Sequence, residues 1–312
     1  MCGEMRDCWL KRKLIPIYEL VYFTVDNTIK WLVLRTRYRL RIMNSIETLS
    51  YIKKHHCSIA RYGDGELSFA LNIDHEIAFQ KNSSELSRRL AEVLQGKNPD
   101  LLLCMPLYLN SLKGCTKNCQ KYWWDWGKQG DHQKKLVTAI RQHSGRHYLF
   151  GDALITRPYM DRQDFAYAEK IFDQLKDLWA DQEILIVEGT QTRLGVGNDL
   201  FWGATSIKRI LAPAVGAFEY YEEIKEGVLQ NYSGELVLLA LGPTATILAS
   251  DLADSGIQAL DIGHIDIEYE WFLQRQTSKV AIAGKFTNEC VDGRNVSDCN
   301  DEEYRRQIVL NM

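Results

Sequence analysis

Three short runs of the sequence gather side chains suited to an anionic, hydroxyl-rich ligand. The first reads Ala60-Arg61-Tyr62-Gly63-Asp64-Gly65-Glu66, with a carboxylate on either side of Gly65 and Gly63 just before them. That spacing lets Asp64 and Glu66 turn toward one point and present hard oxygen ligands to Mg²⁺ or Mn²⁺. A cation held there bridges diphosphate oxygens and neutralises a departing nucleoside diphosphate. Arg61, beside Gly63, adds a planar donor fork for phosphate. The same residues also suit an ordinary solvated turn at a strand end.

The second run is Glu188 to Leu200, in which Gly189, Gly195 and Gly197 permit close backbone approach to a ligand. Thr192, Arg193 and Asn198 supply donors for phosphate, ribose or sugar hydroxyls. The dinucleotide fingerprint fails because Leu200 stands where its third glycine belongs, and no Gly-Lys-Ser/Thr closes a Walker loop. A structural turn is the alternative.

The third run, Gly263 to Trp271, carries His264, Asp266, Glu268 and Glu270. An imidazole or a carboxylate there can accept a proton from a hydroxyl. On one continuous helix His264 shares a face with Glu268, while Glu270 lies on another. If His264 belongs instead to the preceding turn, His264 and Glu270 can converge. Periodicity leaves both geometries open, together with a plain acidic helix start.

Elements that would position these runs appear from residue 45 onward, where short apolar runs alternate with helix-like stretches. This is the pattern of an α/β domain with a mainly parallel sheet. Strands are expected at Ser58 to Arg61, Leu101 to Pro106, His147 to Phe150, Ile184 to Val187, Ile207 to Leu211, Leu236 to Leu241 and Ala259 to Ile262. Helices are expected at Ser84 to Leu94, Phe165 to Trp179, Phe218 to Leu229 and Thr244 to Asp254. Open α/β sheets bind ligands beyond the carboxyl ends of their strands, which is where all three runs fall.

The chain has 312 residues, 46% of them hydrophobic, enough for a sizeable core. A formal charge of -3 gives no pull toward nucleic acid, so no nucleic-acid partner is expected. Eight cysteines are too dilute for a disulfide scaffold, and no signal-peptide pattern is present, so the expectation is a cytoplasmic protein with reduced thiols. Cys115 and Cys119 with His132 are a weak zinc pattern, and Cys57 and Cys104 read as buried thiols. Residues 1–43 hold nine Lys and Arg against four Asp and Glu, so they carry +5 and the remainder -8. Leu14 to Val25 is apolar and aromatic but too short to span a bilayer. This segment suits an anionic membrane surface at the inner face, or a partner transferase; packing on its own domain is the alternative.

Several segments in order resemble the GT-D-type glycosyltransferases, a family first catalogued as a bacterial domain of unknown function. They are Ser58 to Glu66, Ile77-Ala78-Phe79-Gln80, Gly151-Asp152, Thr156-Arg157-Pro158-Tyr159-Met160, Glu188 to Leu200, Gly242-Pro243-Thr244 and Asp261 to Trp271. The resemblance implies a Rossmann-like, mainly parallel sheet flanked by helices over residues 45–290. A basic N-terminal helical extension at 1–44 and a tail at 291–312 lie outside it. It also implies a UDP-sugar donor, a Mn²⁺ or Mg²⁺ ion at Asp64 and Glu66, and functional roles for His264 and Glu270. The expected reaction moves a hexose, glucose or galactose, onto a glycan acceptor in surface glycoprotein or capsular and exopolysaccharide synthesis. Arg61, Gly63, Thr192, Arg193, Gly195 and Asn198 would lie on the donor side. A metal-dependent phosphoesterase and a non-catalytic sugar-nucleotide binder are the alternatives from other classes.

Overall fold

The computed structural model describes residues 37–312, except 74, 97, 129–130, 144–147, 291 and 295. The strands are β1 (Arg41–Ile42), β2 (Ser58–Arg61), β3 (Leu101–Met105), β4 (Leu149–Asp152), β5 (Glu183–Gly189), β6 (Ser206–Ala212), β7 (Leu236–Ala240), β8 (Ala259–Asp261) and β9 (Ile308–Asn311). They form one sheet in the order β1-β4-β3-β2-β8-β7-β5-β6-β9, with every neighbouring pair parallel. The main helices are α1 (Ser45–His55), α2 (Asp64–Ala70), α3 (Ser84–Val93), α4 (Lys117–Lys128), α5 (His132–His143), α6 (Phe165–Trp179), α7 (Tyr221–Asn231), α8 (Pro243–Asp254), α9 (Ile265–Leu273) and α10 (Glu302–Gln307). This is the expected α/β architecture. None of the described helices is long and apolar enough to cross a membrane.

The central strands are apolar on both faces because helices cover both sides of the sheet. Leu185 and Val187 of β5 join one core layer, while Ile184 and Ile186 join the other. β3 divides in the same way, with Leu101, Leu103 and Met105 against Leu102 and Cys104. Helix ends follow local chemistry. Asn44 and Glu47 form a reciprocal cap on α1, and Ser83 accepts from the Leu86 amide to start α3. Pro243 opens α8 behind Gly242.

Two differences from the sequence reading have local causes. The strand expected at His147 to Phe150 sits at Leu149–Asp152, and His147 lies outside the described residues. Its register is set by Gly151, where a side-chain carbon would fall 2.6 Å from Cys104 Sγ on β3. Two edge strands, β1 and β9, lie in the segments read as extension and tail. Among the described residues each pairs on one side only; β1 is two residues long and β9, Ile308–Asn311, is a short run with alternate residues exposed, outside the alternation of strands and helices read over 45–290. Cys115 and Cys119 are buried beside Tyr108 and Leu154, while the His132 ring packs on Trp126 at 5.4 Å. The basic segment ahead of residue 37 lies outside the described residues.

The strand order brings the chemistry together. The chain steps from β2 outward through β3 to β4, then crosses to β5 and β6 and fills back through β7 and β8 toward β2. The loops after β2, β5, β6, β7 and β8 therefore meet at one end of the sheet, at its topological switch point.

Candidate active site

A cavity of about 500 Å³ opens at that end, within the usual range for small-ligand sites. Its charged wall includes Arg61, Asp64, Glu66, Arg157, His264 and Glu289, and its less polar wall includes Phe79, Pro213, Ala217 and Leu241. Of the expected donor-side residues, Arg61, Gly63 and Thr192 line it; Arg193, Gly195 and Asn198 do not.

Asp64 and Glu66 lie in the first turn of α2 rather than in a free loop, with Gly63 as the cap. Glu66 Oε2 accepts the Gly63 N–H at 2.8 Å, which fixes its direction. Burial pushes its pKa up to about 7, with the charges of Asp261 and Asp64 adding to the effect. Asp64 Oδ2 accepts the Tyr122 hydroxyl and stands 3.6 Å from His75 Nε2. Gly65 allows this assembly to close, since a side-chain carbon there would fall 2.5 Å from Ile77 Cδ1. The Glu66 carboxylate also takes its own backbone N–H, while Asp64 Oδ1 has no hydrogen-bond partner among the described residues.

Arg61 is a committed scaffold. Its Nε donates to the Asp261 carbonyl at 2.7 Å, Nη2 to Asp261 Oδ1 at 2.8 Å and Nη1 to the Ala153 carbonyl at 3.4 Å. Gly263, at φ 52°, makes room for it: a side-chain carbon there would fall 2.1 Å from Arg61 Nη2. The donor fork expected from Arg61 is therefore largely used within the fold.

His264 caps α9 and faces the cavity. Its Nδ1 is 3.4 Å from Arg157 Nη2, and its Nε2 is 3.6 Å from Glu289 Oε1. Burial, then the Arg157 charge, push the imidazole pKa down to about 3, so it is neutral at ordinary pH. Glu289 takes a hydrogen bond from Arg157 at 2.6 Å and pairs with Lys279 at 2.8 Å. Although burial alone would raise it, these cations, Arg157 foremost, hold its carboxyl well below the usual range.

The remaining acids of α9 point elsewhere. Glu268 Oε2 accepts the backbone N–H groups of Tyr159 and Met160 at 3.1 and 2.9 Å, anchoring the turn that follows Arg157. Burial pushes its pKa up to about 7, with Arg157 opposing. Glu270 does not line the cavity and, among the described residues, makes no hydrogen bond or ion pair with His264; Oε1 accepts from Asn198 at 2.8 Å and from Lys285 at 2.9 Å. Lys285 also pairs with Asp266 at 2.7 Å, and Asp266 accepts from Asn198 and from the Gly195 N–H. Of the geometries the sequence leaves open, the structure does not bring His264 and Glu270 together; Glu270 belongs to a buried charge network behind the cavity.

Arg193 likewise turns away from the ligand space. Its Nη1 and Nη2 donate to the carbonyls of Gly284 and Ser297 at 2.7 and 2.6 Å, fastening the segment that delivers Asn288 and Glu289. Sequence reasoning from strand ends did not single out Tyr122, His75 or Glu289. Arg157 appeared within a matching segment but without a role. Glu289 and Arg157 are 132 positions apart, so no local pattern marks them as partners.

The chain matches the family described as "Glycosyltransferase GT-D fold" over residues 59–290. It is 36% identical over 282 residues to a "Probable glycosyl transferase Gly" of Streptococcus gordonii, covering 88% of this chain and 39% of that protein. It is also 36% identical over 267 residues to "Glycosyltransferase GlyD" of Streptococcus pneumoniae serotype 4, covering 85% of this chain and 32% of that protein. The chain therefore matches about a third of the length of these curated relatives. Among solved structures, one described as "The highly conserved domain of unknown function 1792 has a distinct glycosyltransferase fold" superposes with a TM-score of 0.78 at 35% identity, covering 90% of this chain and 99% of that one. "A New Glycosyltransferase (DUF1792) from Streptococcus sanguinis" gives 0.77 at 35% identity, covering 88% and 100%. With the sheet order, the switch-point cavity and a family match across most of its length, the chain belongs to the GT-D-fold glycosyltransferases.

Proposed function

We propose that this chain transfers a hexose, glucose or galactose, from a UDP-sugar to a glycan acceptor in surface glycoprotein or extracellular polysaccharide synthesis. The observation that carries the reading is the placement of Asp64 and Glu66 on the wall of the same cavity as Arg157, His264 and Glu289. Among the described residues no cluster of three potential ligands forms a protein cage for a metal. Two carboxylates on one cavity wall nevertheless fit Mg²⁺ or Mn²⁺, which commonly take one or two carboxylates and complete their shell with water and substrate phosphate. Asp64 and Glu66 are the residues that would hold the ion, and the ion supplies charge neutralisation for the leaving diphosphate.

The protein's own groups do the rest. Phe79 and its apolar neighbours offer a surface for the nucleobase, and Thr192 offers a hydroxyl to ribose or sugar. His264, neutral and in the cavity, is the member of the His264 and Glu270 pair in reach of an acceptor hydroxyl; Glu270 positions Lys285. The basic segment 1–43 is assigned to contact with an anionic membrane surface at the cytoplasmic face.

The test is incubation of the purified chain with UDP-glucose or UDP-galactose, Mn²⁺ and a panel of glycan acceptors, with products read by mass spectrometry. A glycan heavier by one hexose is expected. UDP-sugar hydrolysis without transfer would favour a phosphoesterase, and binding without turnover a sensor.

A further inference from the structure

The two arginines on the charged wall differ in what they leave available. Arg61 is engaged through Nε, Nη1 and Nη2, and its side chain is 15% exposed. Arg157 is 29% exposed, uses Nη2 toward Glu289 and His264, and has no partner for Nε or Nη1 among the described residues. Nε and Nη1 therefore keep N–H groups for a ligand; these point to different sides of the guanidinium, so each is suited to a single charge-assisted contact with a phosphate oxygen.

The surroundings keep Arg157 in place. Glu289 anchors Nη2 at 2.6 Å, and Glu268 holds the Tyr159 and Met160 amides just beyond Arg157. Glu289 is itself tethered by Lys279, and its segment is fastened by Arg193 and Lys285. An arginine on the cavity wall with one nitrogen already fixed is preorganised, so less ordering is left for binding.

We propose that Arg157, rather than Arg61, binds the diphosphate of the donor, and that Glu289 is the positioning residue that holds its guanidinium at the cavity wall. This rests on the UDP-sugar reading above and deepens it. It assigns the stabilisation of the leaving diphosphate to a residue from the loop after β4, on the opposite half of the sheet from the Glu188 loop.

The test compares UDP with uridine in calorimetry, using the whole chain with Mn²⁺. Arg157→Ala should weaken UDP binding about tenfold to a hundredfold, as expected for lost charged hydrogen bonds, and leave uridine affinity unchanged. Arg157→Lys, which keeps the charge without the fork, should fall between. Glu289→Gln should retain UDP affinity within a few-fold of wild type, with a smaller kcat because the arginine is less fixed. Circular dichroism should confirm that each variant is folded. Equal losses for UDP and uridine in Arg157→Ala would mean a structural role and would overturn the assignment. So would wild-type UDP affinity in that variant alongside lost affinity in a folded Arg61→Lys. If the wild-type chain binds neither UDP nor UDP-sugar, the donor reading itself fails and the assignment goes with it.

Discussion

Glu268 and Glu289 both neighbour Arg157 but ionise in opposite senses, because burial dominates at one and cationic partners dominate at the other. Glu268 gains preferential protonation on folding, with its pKa moving from 4.5 to about 7. Its contribution to stability is therefore fully present below about pH 4.5 and is lost as pH rises through about 7. Glu268→Gln keeps an acceptor for the Tyr159 and Met160 amides without the titration. Between pH 5 and 8, urea unfolding should show the variant gaining on wild type by up to about 3 kcal/mol. A stability difference that is flat across that range would remove Glu268 as a buried titrating group. At Asp64 and Glu66 the effect belongs to catalysis. Asp64→Asn and Glu66→Gln keep shape and remove charge, so Mn²⁺-dependent turnover should fall by orders of magnitude while the circular dichroism spectrum stays unchanged. Full turnover in both would withdraw the metal assignment.

Helix α9 and the segment after it behave as a unit: His264 at the start faces the cavity, and Glu270 near the end grips Lys285. Lys285 lies one residue before Phe286, which begins the stretch that carries Glu289 into the cavity wall. If Glu270 acts by holding this stretch, Glu270→Gln should lower Tm, weaken UDP binding several-fold and reduce kcat together. The weakened Lys285 contact should cost about 1.5–3 kcal/mol. Loss of kcat with Tm and UDP affinity unchanged would instead make Glu270 the proton acceptor. This distinction was not legible in the sequence. The run His264 to Trp271 marks a helix start, but which acid faces the cavity depends on the Tyr159 to Met160 turn and on Lys285, neither of which enters its periodicity. The central strands were legible because burial on both faces demands unbroken apolar runs. The place of Arg193 off the cavity was not legible because the carbonyls it serves, Gly284 and Ser297, come from far along the chain.

At the scale of the whole molecule, the parallel sheet ties its far edge to the site through one buried arginine. Arg209 of β6 pairs with Glu188 at 2.6 Å, and Glu188 accepts the Leu194 N–H, which sets the start of the loop after β5. On its other side Arg209 donates to Gln307 at 2.7 Å and lies 4.9 Å from the Tyr304 ring centre, both from the C-terminal segment. Beyond them β9 pairs with β6, and Leu310 and Met312 pack so closely on α7 that a side-chain carbon at Gly227 would fall 2.6 Å from Leu310. Removing residues 301–312 strips Arg209 of two partners, uncovers α7 and leaves β6 as a bare edge. The truncated chain should melt several degrees lower and associate with rising concentration in light scattering, because an unpaired edge recruits other strands. Tyr304→Ala separates the two effects: it weakens the support of Arg209 while leaving β9 in place, so it should lower Tm without association. A truncated chain that stays monomeric and melts with the wild type would show that the sheet and its cavity do not depend on this edge.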